Sequence, residues 1–131
     1  MYKAILFVTG VLNLLFGFFH IYLGYAIYRS TALSEAARGL MEALNVGGTL
    51  MIFFLAYACL MHRREMLGEG LGRAVLLLAA AVYLSRAAEE FFWFQFSPVI
   101  FAACLVVGLL HLILLLLPMR APEGVAPQAH S

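Results

Sequence analysis

Four long apolar segments, separated by short polar stretches, dominate the chain. They cover residues 4–27, 41–61, 73–94 and 98–118. Each is close to the roughly 20 residues with which a helix crosses about 30 Å of hydrocarbon, and backbone groups in lipid must be bonded internally, which favours helices over strands. The pattern predicts an all-α fold: an integral membrane four-helix bundle, up-down-up-down, in residues 1–118, followed by a polar cytoplasmic tail in residues 119–131.

The first apolar segment carries a stripe of small and polar residues. Gly10, Gly17 and Gly24 recur every seven residues, and Asn13 and His20 lie between them at the same interval. At helical pitch all five fall on one narrow face. Small residues let helix backbones approach closely in a membrane, and polar residues bond across helices. The stripe therefore predicts a helix that packs against other helices.

Composition and charge restrict the class of protein and its orientation. Hydrophobic residues make up 65% of the chain and charged residues 11%, whereas soluble domains carry about a quarter charged residues. In the predicted topology five basic residues share one side: Lys3, Arg63, Arg64, Arg73 and Arg120. The other side has three: Arg29, Arg38 and Arg86. The positive-inside rule then predicts cytoplasmic termini.

Candidate chemistry concentrates in the predicted outer leaflet. Charged residues within a membrane helix are costly and commonly functional, and Arg86 can reach Glu89 and Glu90 at three and four residues along a helix. The polar faces of the first and second apolar segments add further polar groups at a similar depth. The candidate ligand-binding residues are His20, Glu42, Asn45, Arg86, Glu89 and Glu90. Three interpretations are open: an ion-pair clamp that ties the third apolar segment to the second, a polar ligand site, or a group that couples proton or ion movement.

A second, smaller polar layer is predicted deeper in the bundle. Asn13 and His111 fall at nearly matching depths in the inner half. His20 and His111 raise a haem hypothesis, since two imidazoles on facing helices can ligate one iron; their depths differ by roughly ten ångströms, which disfavours it. The Glu-x-x-His motif of di-iron bundles is absent, and no metal site is predicted. The sequence requires no cofactor, while a quinone or a lipid would suit an apolar bundle.

Two segments carry a resemblance to a known group. They are Leu14–Tyr25 (LLFGFFHIYLGY) and Asn45–Phe54 (NVGGTLMIFF), within four short helices that have almost no extramembrane part. In this architecture the chain resembles the small DoxX-like bacterial membrane proteins. Members of that group are often uncharacterised or act as accessory subunits of membrane redox systems. The resemblance therefore implies an accessory subunit in the bacterial inner membrane.

Three functions are consistent with these residues. The favoured one is an accessory or lipophilic-ligand-binding subunit that holds a quinone, a lipid or a partner helix through the outer polar layer. The second is a small membrane enzyme in which His20 and Glu89 or Glu90 act as acid and base. The third is an oligomeric proton-coupled transporter with a polar path through Asn13 and His111. Phosphate-loop, dinucleotide and metalloprotease motifs are absent. The first function is favoured because it requires no catalytic motif.

The expected partners are the lipid bilayer, other membrane subunits or a second copy of the chain. The net charge of +1 gives no basis for nucleic-acid binding.

Overall fold

The fold is entirely helical over the part of the chain that the structure, a computed structural model, describes: residues 1–68, 70–92 and 96–117. Its helices are α1 (Tyr2–Arg29), α2 (Glu35–Met61), α3 (Arg63–Met66), α4 (Leu71–Glu89) and α5 (Pro98–Leu116). These described residues contain no strand, so the predicted all-α class is confirmed. By length and composition, α1, α2, α4 and α5 could each cross a membrane. The predicted tail, residues 119–131, lies outside the described residues.

Local sequence signals fix the starts of α2 and α5. Ser34 caps α2, and its side chain accepts a hydrogen bond from the Ala37 backbone N–H at 3.3 Å. Ser97 caps α5, and Pro98 occupies the first turn, where a missing N–H costs nothing. The cap at Ser34 makes α2 begin six residues before the apolar segment that was predicted from residue 41.

Two local features differ from the predicted segments. The third segment was expected to run to residue 94, but α4 ends at Glu89 and a turn follows through Phe92, with residues 93–95 outside the described part. Hydropathy alone cannot separate an aromatic turn from another helical turn, because both are apolar. The polar connection after α2 also contains α3, a single turn that buries Met66 in the core.

The long helices pack around two buried apolar clusters. α1 packs against α2 and α5, and α4 packs against α5 and α3. One cluster lies near the start of α1 and the end of α2 and consists of Leu6, Ala58, Cys59, Met66, Leu76 and Leu114. The other consists of Leu55, Ala79, Tyr83, Ala87, Cys104 and Val107. Both clusters combine residues of α2, α4 and α5, so these helices share one interior.

The glycine stripe of α1 faces α2. A Cβ atom at Gly10 would lie 2.8 Å from the Leu60 side chain, and one at Gly17 would lie 2.7 Å from the Phe53 ring. At Gly24 the same atom would lie 2.7 Å from the Asn45 side-chain nitrogen. The start of α1 therefore meets the end of α2, and the end of α1 meets the start of α2. A larger residue at any of these points would require the facing side chain to shift, so the glycines allow the present close approach.

Candidate functional site

A polar cluster of Asn13, Tyr83 and His111, the inner polar cluster, lies at the centre of the fold. Asn13 and His111 are fully buried, and Tyr83 is 4% exposed. The Tyr83 hydroxyl donates a hydrogen bond to Asn13 Oδ1 at 2.7 Å, and Asn13 Nδ2 lies 3.4 Å from His111 Nε2. The rings of Tyr83 and His111 stack with centroids 5.8 Å apart. Residues from α1, α4 and α5 thus meet at one point.

The hydrogen bonds of the inner polar cluster determine which atom carries each proton. Nδ1 of His111 lies 2.8 Å from the Val107 carbonyl oxygen, which can only accept, so Nδ1 is the donor. In the neutral ring Nε2 then accepts from Asn13, whose amide also donates to the Thr9 carbonyl at 2.9 Å. Every polar atom of the Asn13 side chain is therefore bonded. This arrangement holds helices together and leaves no Asn13 atom for a ligand.

A second polar pair, His20 and Asn45, joins α1 to α2. The Asn45 amide nitrogen donates to the main-chain carbonyl of His20 at 3.0 Å, which directs Oδ1 of Asn45 toward the ring. Nδ1 of His20 therefore carries a proton and donates it to that oxygen at 3.0 Å. The backbone carbonyl of Asn45 accepts from Thr49 at 2.6 Å. The half-buried His20 ring keeps its other nitrogen, Nε2, outside this pair.

The charged residues at the end of α4 form a junction with the start of α5. Arg86 Nη1 lies 2.7 Å from Glu90 Oε1 and 3.9 Å from Glu89 Oε2. The other oxygen of Glu90 accepts the Ser97 backbone N–H at 2.9 Å, and the carboxylate is 2% exposed. Glu90 follows the last residue of α4, and the Ser97 N–H, aided by Arg86, holds the pKa of its carboxyl below the usual value. Both oxygens of Glu90 therefore serve to join α4 to α5.

The predicted outer layer is thus divided among separate contacts. Over the described ranges no hydrogen bond or ion pair connects His20 with Glu89 or Glu90. The Glu42 side chain is half-buried, and its Oε1 atom is buried without a hydrogen-bond partner in that part of the chain. His20 and His111 belong to different polar groups. Among the described residues no group of three or more histidine, cysteine or acidic side chains could hold a metal ion.

A half-enclosed cavity of about 520 Å³, the α2–α4 groove, lies at the opposite end of the fold from Glu90. It runs between the second half of α2 and the first turns of α4, with α3 at its end. Its apolar lining consists of Phe54, Ala58, Met66, Leu71, Gly72 and Val75. Its volume falls within the range of about 300–1,000 Å³ that is typical of small-molecule sites.

Polar groups are confined to one end of the α2–α4 groove, where Tyr57, His62 and Glu65 contribute to its lining. The Tyr57 hydroxyl lies 3.0 Å from His62 Nε2, and the Glu65 carboxylate lies 3.9 Å from His62 Nδ1. All three side chains are exposed. An apolar cavity with a few polar groups at one end is suited to an amphipathic molecule rather than to a hydrophilic one.

Sequence reasoning did not identify Tyr83 or the α2–α4 groove as site features. Tyr83 lies three residues before Arg86 and seven before Glu90, so its position on the same helical face was a usable signal. The groove had no such signal, because its apolar lining is indistinguishable in sequence from ordinary membrane-helix residues. His62 was not a candidate because it lies just beyond the second predicted segment, which ends at residue 61. Tyr57 carried no signal that distinguished it from other aromatic residues of that segment.

Comparison with protein-family models, with curated proteins and with solved structures gave no match to this chain.

Proposed function

We propose that this chain is an integral membrane protein that binds a lipophilic ligand, of the lipid or quinone class, in the α2–α4 groove. In this proposal α1, α2, α4 and α5 cross the bilayer as an up-down-up-down bundle. The single observation that carries the ligand assignment is the groove itself, about 520 Å³ in volume, apolar along its length and polar at one end. Its apolar wall would receive a hydrocarbon chain, and Tyr57 and His62 would face the head group.

Membrane insertion is supported by the surface of the long helices. Large apolar side chains are exposed along all of them, for example Phe18 at 57%, Leu50 at 67% and Leu78 at 57%. A continuous exposed apolar surface of this kind is suited to lipid and not to water. The polar side chains of the helix interiors bond to one another, as in the pair of His20 and Asn45, which is the arrangement that a surrounding hydrocarbon phase requires.

The groove is preferred to the predicted outer polar layer because its lining is available to a ligand. In the outer layer Asn45 uses its side-chain oxygen and nitrogen on His20, and Glu90 uses both oxygens on Arg86 and Ser97. A ligand there would have to displace bonds that already join helices. In the groove a ligand would break no hydrogen bond along the apolar wall, and replacing water there would favour binding.

The proposal is tested by native mass spectrometry of the protein released gently from its own membranes. A discrete additional mass on the chain is expected, and Val75→Phe, which fills the groove wall, should abolish it. Leu77→Phe is the matched control, because Leu77 lies on the same helix, is 56% exposed and is outside the groove lining. Circular dichroism of both variants reports whether they fold.

A second pair of variants keeps the test decisive if Val75→Phe does not fold. Phe54 lines the groove from α2 and is 56% exposed, whereas Leu50 lies one turn away, outside the lining. Phe54→Trp should reduce ligand retention and Leu50→Trp should not. A wild-type chain that carries no additional mass, or equal retention in all variants, would contradict a ligand site in the groove.

The outer polar layer is a second candidate site for the same class of ligand, favoured by one observation. Glu42 Oε1 is buried without a hydrogen-bond partner in the described part of the chain, and buried polar atoms normally have one. If a ligand supplies that partner, Glu42→Gln should weaken its retention while Val75→Phe leaves it unchanged. If Val75→Phe weakens ligand retention and Glu42→Gln leaves it unchanged, the ligand belongs to the groove.

An accessory role, which the resemblance to DoxX-like proteins implies, stays a prediction. The same mass spectra test it, since an accessory subunit would be released in a defined complex with other chains. The enzyme hypothesis on His20 with Glu89 or Glu90, and the transporter hypothesis on Asn13 and His111, likewise stay predictions. The internal hydrogen bonds of Asn13 and Glu90 favour neither of them.

A further inference from the structure

The polar end of the α2–α4 groove consists of three side chains that face one another. The Tyr57 hydroxyl lies 3.0 Å from Nε2 of His62, and a carboxylate oxygen of Glu65 lies 3.9 Å from Nδ1 of the same ring. Among the described lining residues Glu65 is the one acidic side chain, and none is lysine or arginine. An acidic head group at this end would therefore face a carboxylate and no cation of the lining.

The His62 ring is positioned by the junction between α2 and α3. The backbone N–H of His62 donates to the Ala58 carbonyl at 3.0 Å, and its carbonyl accepts from the Met66 N–H at 2.9 Å. The ring meets the Tyr57 ring in a T-shaped arrangement, with centroids 5.1 Å apart. Since Met66 is buried in the core, this polar end is built before a ligand arrives, which lowers the cost of binding.

The contacts of the His62 ring determine where its proton lies. A carboxylate only accepts, so the neutral ring is favoured with its proton on Nδ1, which faces Glu65. Nε2 then accepts the proton of the Tyr57 hydroxyl. Within the described part of the chain Tyr57 and Glu65 make no other side-chain hydrogen bond or ion pair. The side-chain groups left for a ligand are therefore the Tyr57 oxygen and the Glu65 carboxylate, and both accept.

We infer that the α2–α4 groove selects an uncharged head group with a hydroxyl, as in a quinol or a diacylglycerol, over one whose polar groups only accept, as in a quinone. This inference rests on the proposed function and specifies its ligand. A hydroxyl donates to the Tyr57 oxygen or to the Glu65 carboxylate. A carbonyl would bring lone pairs against lone pairs and leave these acceptors unpaired, which costs affinity.

An ammonium head group would also donate, but the charge of α3 disfavours it. This helix contains Arg63 and Arg64 besides Glu65, so it has no net negative charge. The Glu65 side chain is 71% exposed, and an ion pair in such a setting contributes little. The N–H groups in the first turn of α4 have no intrahelical partner and could serve either kind of uncharged head group, because a hydroxyl also accepts. The side chains therefore make the difference.

The inference is tested with decylubiquinol and decylubiquinone, which differ only in having hydroxyl groups in place of carbonyl groups. Titration calorimetry of the full chain in phosphatidylcholine nanodiscs, with empty nanodiscs subtracted, gives the Kd of each. We expect the quinol to bind about fivefold more tightly, the equivalent of one net hydrogen bond. Dioleoylglycerol and its acetate ester form a second pair. A preference for the hydroxyl in one pair alone identifies the quinol or the glycerolipid as the source of that hydroxyl.

Two variants test the groups that the inference assigns. Glu65→Gln replaces an acceptor by an amide that also donates, so the preference for the hydroxyl should disappear. Glu35→Gln is the matched control, because Glu35 is exposed, lies at the opposite end and undergoes the same change of charge. His62→Phe keeps an aromatic ring and removes the acceptor of the Tyr57 proton. The freed hydroxyl can then donate to a carbonyl, so decylubiquinone should bind about fivefold more tightly than to the wild type. A purely structural role of His62 would give no such gain.

The outcomes separate the inference from the proposed function. Equal binding of both members of each pair, with loss of all four in Val75→Phe, would overturn the selection of a hydroxyl and leave the groove as a ligand site. Tighter binding of the quinone than of the quinol by the wild type would do the same. If no probe binds the folded wild-type chain, and the chain carries no additional mass from its own membranes, both the inference and the proposed function are overturned.

Discussion

Asn13 illustrates how a single polar residue is accommodated in this apolar interior. Its side chain accepts from Tyr83 and donates to the Thr9 carbonyl, and its amide faces His111 Nε2. A buried polar atom without a partner costs about 1–3 kcal/mol, whereas a bonded one adds a smaller net stabilisation. Asn13 therefore contributes chiefly by bonding the Tyr83 hydroxyl and His111 Nε2, which would otherwise be buried without this hydrogen-bond partner.

Replacement of Asn13 should be more damaging than loss of one of its partners. Asn13→Ala leaves both the Tyr83 hydroxyl and His111 Nε2 without this partner, and we expect a loss of about 1–3 kcal/mol in the free energy of unfolding. Tyr83→Phe keeps the stacked ring and leaves one buried atom, Asn13 Oδ1, without its partner instead of two. We expect a smaller loss, since hydrogen bonds between membrane helices average about 0.6 kcal/mol. Unfolding in mixed micelles measures both. An equal or larger effect of Tyr83→Phe would contradict the central role of Asn13.

Part of this polar interior could be predicted from the sequence and part could not. The depth of Asn13 along its helix and that of His111 along its own gave matching levels, and the structure brings the two side chains to 3.4 Å. Tyr83 lies on the same helical face as Arg86 and Glu90, but nothing in the sequence indicated that it contacts Asn13 and His111. Its role depends on how α4 is rotated about its axis against α1 and α5, and single-helix periodicity does not contain that rotation.

At the scale of elements, the contact between α1 and α2 depends on backbone approach at the glycine stripe. Gly24→Ala should destabilise the protein, because the new methyl group would lie 2.7 Å from Asn45 Nδ2 and displace the side chain that pairs with His20. The loss of that pairing should cost about 1 kcal/mol. The measurement is the free energy of unfolding in mixed micelles, with retention of helix content checked by circular dichroism.

Gly47→Ala provides the control for Gly24→Ala. A Cβ atom at Gly47 would meet nothing within 4 Å. Both substitutions replace a helical glycine by alanine, so both gain a similar helix propensity, and the difference between them reports the contact alone. We expect Gly47→Ala to be neutral or stabilising. If the two variants unfold alike, close approach at Gly24 does not hold α1 to α2.

The sequence pattern located the long helices better than the connections between them. Caps at Ser34 and Ser97 are local signals and could be recognised without a fold. The α3 turn could not, because its four residues form a helix only where Met66 enters the core and Gly72 lets α4 approach. The α2–α4 groove depends on the same corner. The groove arises from the relative placement of α2 and α4, and a hydropathy pattern contains no information about how two helices are placed against each other.

For the whole molecule, the unequal charge of the two ends is the feature that governs orientation. The end with the α2–α4 groove carries most of the described lysine and arginine residues, and the end with Glu90 has more acidic residues. Basic residues near helix ends are retained in the cytoplasm, while acidic residues contribute little. The proposed orientation, with the groove end in the cytoplasm, therefore follows from the basic residues alone.

Single cysteines test this orientation directly. Thr31→Cys lies in the exposed connection between α1 and α2, and Glu65→Cys lies at the groove end and removes no basic residue. The native Cys59 and Cys104 are buried and should react slowly. We expect a membrane-impermeant maleimide to label Thr31→Cys in intact cells and Glu65→Cys only after the membrane is opened. The reverse pattern would invert the orientation. Labelling of both variants in intact cells would contradict a fold in which the α1–α2 connection and the groove end lie on opposite sides of the bilayer.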